Sequence, residues 1–262
     1  MPSIKLATWN VNSLRVRLPH VLGWLASNPV DVLAIQETKI VDDKFPVAEL
    51  REIGYAAVFS GQPTYNGVAL LSRLDTVGEG RDVRVGNPLF PDDQKRLIAA
   101  RYGDLDVYCA YFPNGQAPDS PKFTYKLAWI DALKQWLDST RDGLPRILLG
   151  DFNIAPEDRD VHDPAAWAGK IHCTEPERER FRSLIDSGFV DAFRRFDQPE
   201  RSYSWWDYRM LAFRRNAGLR IDFALVDERI ADRVIACTID REPRKLEKPS
   251  DHAPVIVEIA AT

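Results

Sequence analysis

The segment RILLGDFNIAP, residues 146–156, places a carboxylate and a carboxamide two positions apart at the end of an apolar run. The run predicts a buried strand, and Asp151 and Asn153 follow it at once. Residues two positions apart along an extended chain point to the same side, so both side chains are expected to face one small space. Gly, Asp and Asn are also ordinary turn residues, and the segment taken alone is better explained as a turn.

The same pattern recurs where other apolar runs of the chain end. The residues at these ends are acids, amides, a phenol and an imidazole. In chain order they are Asn10, Asn12, Glu37, Tyr111, Asn114, Asp151, Asn153, Asp251 and His252, and Asp222 lies within a further predicted strand. In layered folds, ligands and reactive groups are supplied from strand ends, on loops that a rigid scaffold holds in place. The repetition exceeds what turn statistics provide, and it predicts one shared site.

The carboxylates in this set predict a bound cation. Converging carboxylates repel one another, so either some are protonated or a cation lies among them. Almost all of the available ligands are oxygens, which favours a hard divalent ion such as Mg²⁺, and Glu37 is the first choice of ligand. His162, His172 and Cys173 form the other group of soft ligands, but their spacing matches no zinc pattern and favours surface or packing roles.

The imidazole of His252 follows Asp251 directly, and Asp222 lies elsewhere in the chain. This combination indicates a carboxylate that orients and charges an imidazole. A serine nucleophile is disfavoured because the chain has no GxSxG segment. Glycine-rich phosphate loops of the Walker or dinucleotide type are also missing from the sequence. Metal-assisted hydrolysis, with water as the nucleophile, is the chemistry that remains.

The elements that must position these residues are strands alternating with helices. Leucines at 14, 18, 22 and 25 predict one helix with Ser13 as its N-cap, and Phe123 to Leu137 predict a second after Ser120 and Pro121. Helices that flank many strands imply a layered α/β fold, and no linker divides residues 1–262, which predicts a single domain. The predicted strands are 4–10, 31–37, 55–60, 67–72, 96–102, 106–112, 146–152, 220–226 and 254–260.

Composition narrows the classes of protein further. The 262 residues carry a net charge of −4, which argues against attraction to nucleic acid over the whole surface. Residues 205–220 carry four arginines among aromatic residues and provide a local basic stretch that is able to hold a phosphate backbone. We expect no signal peptide and no membrane span, and three widely spaced cysteines predict reduced thiols in a cytosol.

Several segments together resemble one known family. TWNVNSLR, VDVLAIQETK, YNGVALLSR, YFPNG, LLGDFNIAP, SWWDYR, GLRIDFALV and EKPSDHAPV are similar to segments of the exonuclease III family of apurinic/apyrimidinic (AP) endonucleases, in the same order from Lys5 to Ile259. The resemblance implies a four-layer α/β/β/α sandwich with two mixed β-sheets, as in deoxyribonuclease I. It also implies a Mg²⁺-dependent DNA-repair enzyme, in which Mn²⁺ can substitute. Such an enzyme cleaves the backbone 5′ to abasic sites and has 3′–5′ exonuclease and 3′-phosphatase or 3′-phosphodiesterase activity.

The resemblance also implies roles for individual residues. Trp205, Leu219 and Ile221 match an apolar pocket for a sugar without its base, and Trp206, where many relatives have Phe, implies a changed pocket shape. The motif leaves open which of Asp151, His252 and Tyr111 moves each proton. The implied catalytic residues are Asp151, His252, Tyr111, Asn153 and Asp222; the implied metal-site residues are Glu37, Asn10 and Asp251; and the implied DNA-binding residues are Asn12, Asn114, Trp205, Arg209, Leu219 and Ile221.

Two other functions stay open at the level of sequence. One is a phosphoesterase of the same fold that acts on a non-DNA substrate such as an inositol phosphate, although SWWDYR and GLRID favour DNA. The other is a non-catalytic DNA-binding protein, which the complete set of acid, amide and imidazole groups disfavours. We expect a monomer that acts on double-stranded DNA with abasic sites or 3′ ends. We further expect it in the cytoplasm, associated with the nucleoid when it acts on DNA.

Overall fold

The computed structural model describes residues 3–261, which form two six-stranded sheets with helices on their outer faces. The strands are β1 (Ser3–Asn10), β2 (Val32–Gln36), β3 (Tyr55–Ser60), β4 (Val68–Arg73), β5 (Arg81–Val85), β6 (Leu97–Tyr102), β7 (Leu105–Tyr111), β8 (Arg146–Asp151), β9 (Phe189–Asp191), β10 (Asp222–Asp227), β11 (Val234–Ile239) and β12 (Val255–Ala260). The helices are α1 (Leu14–Ser27), α2 (Val47–Glu52), α3 (Pro121–Ser139), α4 (Pro164–Trp167) and α5 (Glu175–Asp186).

Each sheet is mixed, with one parallel pair of strands at its centre. The first sheet has the order β11-β12-β1-β2-β4-β3, and the second has the order β5-β6-β7-β8-β10-β9. Strands β1 and β2 are parallel, as are β7 and β8, whereas the other neighbours are antiparallel. A helix connects the two strands of each parallel pair: α1 connects β1 to β2, and α3 connects β7 to β8. Parallel neighbours need such a crossover connection.

The core of the protein is divided into layers by the two sheets. Leu6 and Leu149 belong to the cluster between the sheets. Trp9 faces the opposite way and packs with α1 and α2, while Leu148 packs with α3 and α5. Central strands are therefore buried on both faces, which explains why they are nearly continuous apolar runs in the sequence. The predicted four-layer sandwich is confirmed.

The starts of the two predicted helices differ in their capping. The Ser120 side chain caps α3 by accepting a hydrogen bond from Phe123 N at 3.1 Å, and Pro121 occupies the first turn, as predicted. Ser13 does precede α1, but its side chain makes no capping hydrogen bond. Instead, Ser13 N donates to Glu37 O at 2.8 Å and Leu14 N donates to Thr38 O at 3.0 Å. The backbone that follows β2 thus anchors the start of α1.

The elements that the sequence did not predict are mostly peripheral. Strands β5, β9 and β11 lie at sheet edges, where a strand does not have to consist of a continuous run of apolar residues. Strand β5 consists of RDVRV and is largely exposed, and α5 begins with EPERER, so neither shows a clear apolar pattern. The edge position of these strands and the charged residues of β5 and α5 therefore explain why the hydrophobic pattern of the sequence did not predict them.

Two expectations from composition also concern the fold. Cys109, Cys173 and Cys237 are buried free thiols, and burial raises the pKa of Cys109 to about 12. Between residues 3 and 261, no helix is both long enough and apolar enough to cross a bilayer.

We predict that Gly150→Ala destabilises the fold by about 1–3 kcal/mol or more, because a Cβ at this position would lie 1.9 Å from Ala110 O of the neighbouring strand. Chemical denaturation measures this loss. Gly23→Ala in α1 is the matched control, since a Cβ there meets nothing within 4 Å, and it should gain about 0.5–1 kcal/mol. A Gly150→Ala protein as stable as the wild type would contradict the close approach of β7 and β8.

Candidate active site

The two parallel strand pairs bring the predicted site residues to one edge of the sandwich. Asn10 is in register with Gln36, the residue before Glu37, and Tyr111 is in register with Asp151. Strands β1 and β2 face β8 and β7 across the sheets, so the carboxyl ends of all four strands meet. Asp222 at the start of antiparallel β10 is opposite Asp151 and joins the same edge.

The carboxamide of Asn10 links the two sheets at this edge. Its Nδ2 donates to Glu37 Oε1 at 2.8 Å and to Asp151 Oδ2 at 2.9 Å. Its Oδ1 accepts from Asn12 N at 2.9 Å and therefore does not face the carboxylates. In this structure Asn10 thus separates two acids, which differs from the metal-ligand role that the resemblance implied, because a ligand role needs the oxygen.

Three residues of the site have left-handed backbone conformations. The φ angles are 44° at Asn12, 54° at Glu37 and 52° at Asn153. Residues with a Cβ adopt this region at an energetic cost, and such residues cluster at functional sites. Asn153 N donates to Asp151 Oδ1 at 2.9 Å, so its left-handed turn brings the carboxamide back toward the acid. The side chains of Asp151 and Asn153 therefore lie together at the turn that follows β8.

A buried hydrogen-bonded series orients the imidazole of His252. Asp222 Oδ2 lies 2.9 Å from His252 Nδ1, and Ser204 Oγ donates to the same oxygen at 2.6 Å. Ser204 Oγ in turn accepts from the backbone N–H of Asp222 at 3.1 Å. The outer nitrogen, His252 Nε2, lies 3.7 Å from Asp151 Oδ2. The predicted Asp222–His252 pair is present, and sequence reasoning missed Ser204, which fixes its carboxylate.

Charge is unevenly distributed across this edge. Burial by itself lowers the pKa of His252, but the carboxylates of Asp222, Asp151 and Asp251 outweigh burial and raise it, so the ring is held as an imidazolium. Burial is the main cause of the raised pKa of Asp151; the charges of Asp222 and Glu37 add to it, and the charge of His252 and the hydrogen bond from Asn10 only partly oppose it. A buried imidazolium and a buried acid of raised pKa therefore lie side by side at this edge.

Tyr111 is held as a neutral phenol beside the acids. Burial, followed by the charges of Glu37 and Asp151, raises the pKa of Tyr111 well above its ordinary value. The guanidinium of Arg96 opposes this rise from its position 4.8 Å above the tyrosine ring. The hydroxyl is therefore a proton donor at neutral pH.

A second polar group, next to Asn153, was only partly predicted. Asn114 Nδ2 donates to Asn153 Oδ1 at 3.3 Å and lies 3.4 Å from His172 Nε2, while His172 Nδ1 lies 2.6 Å from Asn153 O. Burial and the nearby charge of Lys126 lower the pKa of His172 to about 4, so the ring is neutral. His172 was expected on the surface or in packing; it is buried, and it contacts two predicted site residues.

The far side of the site contains the remaining predicted metal residue. Asp251 accepts from Trp205 Nε1 at 2.9 Å and from Asn12 Nδ2 at 3.0 Å. Burial raises the pKa of Asp251, but the charge of His252 and these hydrogen bonds outweigh burial and lower it. Lys39 Nζ, in the QETK segment, lies 2.8 Å from Glu37 Oε2 and donates to Asn12 Oδ1 at 2.6 Å. The Lys39 ammonium thus lies between Glu37 on one side of the site and Asn12, which contacts Asp251, on the other.

The donor atoms of this edge suit a hard divalent cation. The carboxylates of Asp151 and Asp222 lie within 4.8 Å of each other beside the His252 imidazolium, which cannot itself ligate a metal, and Glu37 joins Asp151 through Asn10. Oxygen ligands and an uncompensated negative charge are what such a cation requires. The site therefore fits a metal ion, whose charge would favour the ionised form of Asp151 against the burial that raises its pKa.

The predicted apolar pocket is filled by protein in this structure. Leu219 and Ile221 are 0% and 2% exposed and belong to a small cluster, against which Trp205 packs. Trp205 is half-buried and retains exposed surface beside Asp251. Trp206 is 0% exposed, donates to Asn216 Oδ1 and packs in a different cluster, so the expectation that it reshapes the pocket is wrong. Its larger ring is accommodated on the side away from the site.

The loop after these tryptophans combines apolar and basic groups on the surface. Met210 and Leu211 are 78% and 63% exposed, which is unusual for large apolar side chains. The predicted DNA-binding Arg209 is exposed and pairs with Asp207 at 2.7 Å. The Tyr208 hydroxyl donates to Pro249 O at 2.9 Å, which holds the loop next to the site. Sequence reasoning noted the arginines but not the apolar tip between them.

Two mixed sheets with acids, amides and an Asp–His pair at one edge define a class of proteins, the sandwich-fold hydrolases of phosphate esters. The chain belongs to the Endonuclease/Exonuclease/phosphatase family, whose model matches residues 7–252. It is 36% identical to the exodeoxyribonuclease III of Haemophilus influenzae, over 97% of this chain and 99% of the relative.

Solved structures show the same similarity. A 3′–5′ exonuclease from Neisseria meningitidis is 48% identical, with a TM-score of 0.94 over 98% of this chain and 100% of that one. An AP endonuclease from Archaeoglobus fulgidus is 39% identical, with a TM-score of 0.93 over the same shares of both chains.

The buried His172 generates a prediction about stability and pH. Its pKa is about 4 in the fold and about 6.5 when unfolded, so the unfolded chain gains a proton first as the pH falls. Stability from this group is present above pH 6.5 and is lost as the pH falls toward 4, by about 3 kcal/mol. The free energy of unfolding of His172→Gln, measured between pH 7 and pH 4, should therefore fall by about 3 kcal/mol less than that of the wild type. Equal losses would show that His172 is not buried as a neutral ring.

Proposed function

We propose that this protein is a DNA-repair phosphodiesterase that cleaves the backbone 5′ to abasic sites and removes nucleotides or blocking groups from 3′ ends. The observation that carries the proposal is the convergence of Asp151, Asn153, Asp222 and His252 at one buried edge. The activities named for the relatives, an exodeoxyribonuclease, a 3′–5′ exonuclease and an AP endonuclease, support this function.

The surface beside the site favours DNA over a small phosphate ester. Met210 and Leu211 form an exposed apolar tip, with Arg209, Arg214 and Arg215 close in sequence. Arginines neutralise backbone phosphates, and apolar side chains can enter between base steps. An inositol phosphate has no base stack and gives no reason to expose such a tip.

Each residue of the site has a defined part in hydrolysis. Asp151 orients the attacking water and accepts its proton, and Asn153 donates a hydrogen bond to a phosphoryl oxygen. His252 is kept positively charged by Asp222 and stabilises the negative charge that develops on the phosphate. Tyr111 retains its proton and can deliver it toward the leaving oxygen. Asp151 thus acts on the attacking water and Tyr111 on the leaving oxygen, with Asn153 and His252 at the phosphoryl group between them.

The resident metal in this proposal is Mg²⁺, for which Mn²⁺ can substitute. Glu37 would be its principal ligand, and Asn10 and Asp251 would complete the predicted set. The bound ion supplies Lewis-acid polarisation of the scissile phosphate and neutralises charge among the carboxylates. Oxygen ligands and excess negative charge support this choice.

The working unit in this proposal is one catalytic domain that acts as a monomer on double-stranded DNA. Trp205, beside Asp251, contacts the sugar at the cleaved position. Leu219 and Ile221 belong to the cluster against which the Trp205 ring packs. Asn12, Asn114 and Arg209 contact the DNA backbone around it. We place the enzyme in the cytoplasm, associated with the nucleoid during repair.

We predict that Asp151→Asn lowers cleavage at least about a hundredfold, because it removes the group that activates water. The assay uses three duplex oligonucleotides, with an internal abasic site, a recessed 3′ end and a 3′-phosphate. DNA affinity, measured with the same duplexes, should stay close to that of the wild type.

The matched control for this variant is Asp31→Asn. Asp31 is also a buried aspartate, but it precedes β2 at the opposite end from Glu37 and accepts a hydrogen bond from Lys5 N at 2.7 Å. Its cleavage rates should equal those of the wild type. Undiminished turnover in Asp151→Asn would contradict the mechanism, and three intact duplexes with wild-type protein and Mg²⁺ would contradict the function.

We also predict that EDTA stops cleavage and that excess Mg²⁺ restores it. Glu37→Gln should raise the Mg²⁺ concentration required for half-maximal activity at least about tenfold, because a principal ligand loses its charge. Glu49→Gln, an exposed acid on α2, is the control and should leave this concentration unchanged. Full activity in EDTA would refute the metal assignment.

A further inference from the structure

A fully buried ion pair lies directly behind the candidate site. Lys126 on α3 and Glu177 on α5 are both 0% exposed, and the ammonium donates a hydrogen bond to the carboxylate. Glu177 also accepts from His172 N at 3.1 Å and forms a capping box with Thr174 at the start of α5. The acid is therefore held by other groups as well as by the lysine.

The other contacts of Lys126 are with the backbone of the site. Its Nζ donates to Asn153 O at 2.7 Å and to Asn114 O at 3.2 Å. Asn153 O also accepts from His172 Nδ1 at 2.6 Å, which assigns the ring proton to Nδ1. The backbone carbonyl of Asn153 thus accepts hydrogen bonds from the Lys126 ammonium and from the His172 imidazole, both on the interior side.

These two hydrogen bonds to the Asn153 carbonyl also bear on the orientation of its carboxamide. His172 Nε2 carries no proton and can accept from Asn114 Nδ2, which also donates to Asn153 Oδ1. With Oδ1 occupied in this way, Asn153 Nδ2 points to Phe112 O at 3.0 Å and to Asp151 Oδ2 at 3.3 Å. One N–H of the amide is thus held by Phe112 O, and the other lies against Asp151, on the side where the water and phosphate are proposed to meet.

We propose that the buried Lys126–Glu177 pair is a positioning device that fixes the Asn153 carboxamide for transition-state binding. The inference rests on the proposed function, since it assigns Asn153 to a phosphate. A buried ion pair is a poor source of stability, because desolvation offsets its attraction and apolar residues of similar size are often as stable. A role in geometry explains why charged groups occupy this part of the interior.

The test is the double variant Lys126→Met/Glu177→Gln. Methionine is similar in length to lysine, and glutamine retains the capping box with Thr174, so no unpaired charge is buried and the helix start is preserved. We expect kcat to fall about 10- to 100-fold, as for a misplaced catalytic group, while KM changes less than about twofold.

The matched control is Arg146→Met/Asp227→Asn, at the opposite end of β8. Arg146 and Asp227 are an equally buried pair, and Arg146 also donates to backbone carbonyls, at Leu137 and Ser187. Asparagine at 227 can still cap the turn that follows β10. Whatever stability this control loses, it should keep the wild-type kcat.

Two further readouts separate positioning from a structural role. In an Asn153→Ala background, the Lys126→Met/Glu177→Gln change should lower kcat no further, because the side chain that the ion pair positions is gone.

In ¹⁵N NMR, the Asn153 side-chain amide signal should shift in the test variant and stay in place in the control. This signal reports on positioning even if the wild type cleaves none of the duplexes, an outcome that would refute only the proposed function. An unchanged amide signal, an unchanged kcat or a fully additive loss would overturn the inference.

Discussion

Repulsion among buried carboxylates is the constraint on which this structure depends. Asp151 and Asp222 are paired across neighbouring strands, with Glu37 and Asp251 nearby, and the interior gives their charges little screening. The fold answers with groups that neutralise or separate the acids: the Asn10 carboxamide, the His252 imidazolium and the Lys39 ammonium. These groups do not balance the acids completely, and the remainder is what makes a divalent cation and an anionic substrate fit together there.

The sandwich holds this unfavourable arrangement because its two parallel strand pairs end at the same edge. Their ends are constrained from outside the site: α1 is bound to the backbone around Glu37, and α3 provides Lys126 behind Asn153. Gly150, which has no side chain, allows the close approach of Ala110, its register partner on β7. The energy of ordinary packing, spread over the whole core, thus supports a small region that is locally strained and electrostatically costly.

Most of the fold and much of the site could be predicted from the sequence, for physical reasons that also explain the failures. Strands buried on both faces are continuous apolar runs, and α3 has a local cap and a regular period. Edge strands such as β5 lack that signal. A motif gives residue types but not the direction of a ring, so the sequence could not show that Trp206 packs in a different cluster from Leu219 and Ile221. Lys126 was missed, although its spacing from Phe123 and Ile130 places it on the apolar face of α3.

The pairing of the first strand with the last has a consequence for synthesis in the cell. Strand β12 lies beside β1 near the middle of its sheet, and the segment before it ties His252 O to Trp9 and Ser250 to Asn10 O. A nascent chain still lacking this segment has neither the imidazole nor the partner strand that completes the sheet around Asn10. The site is therefore expected to assemble only after the segment from Ser250 to β12 has been synthesised and has paired with β1.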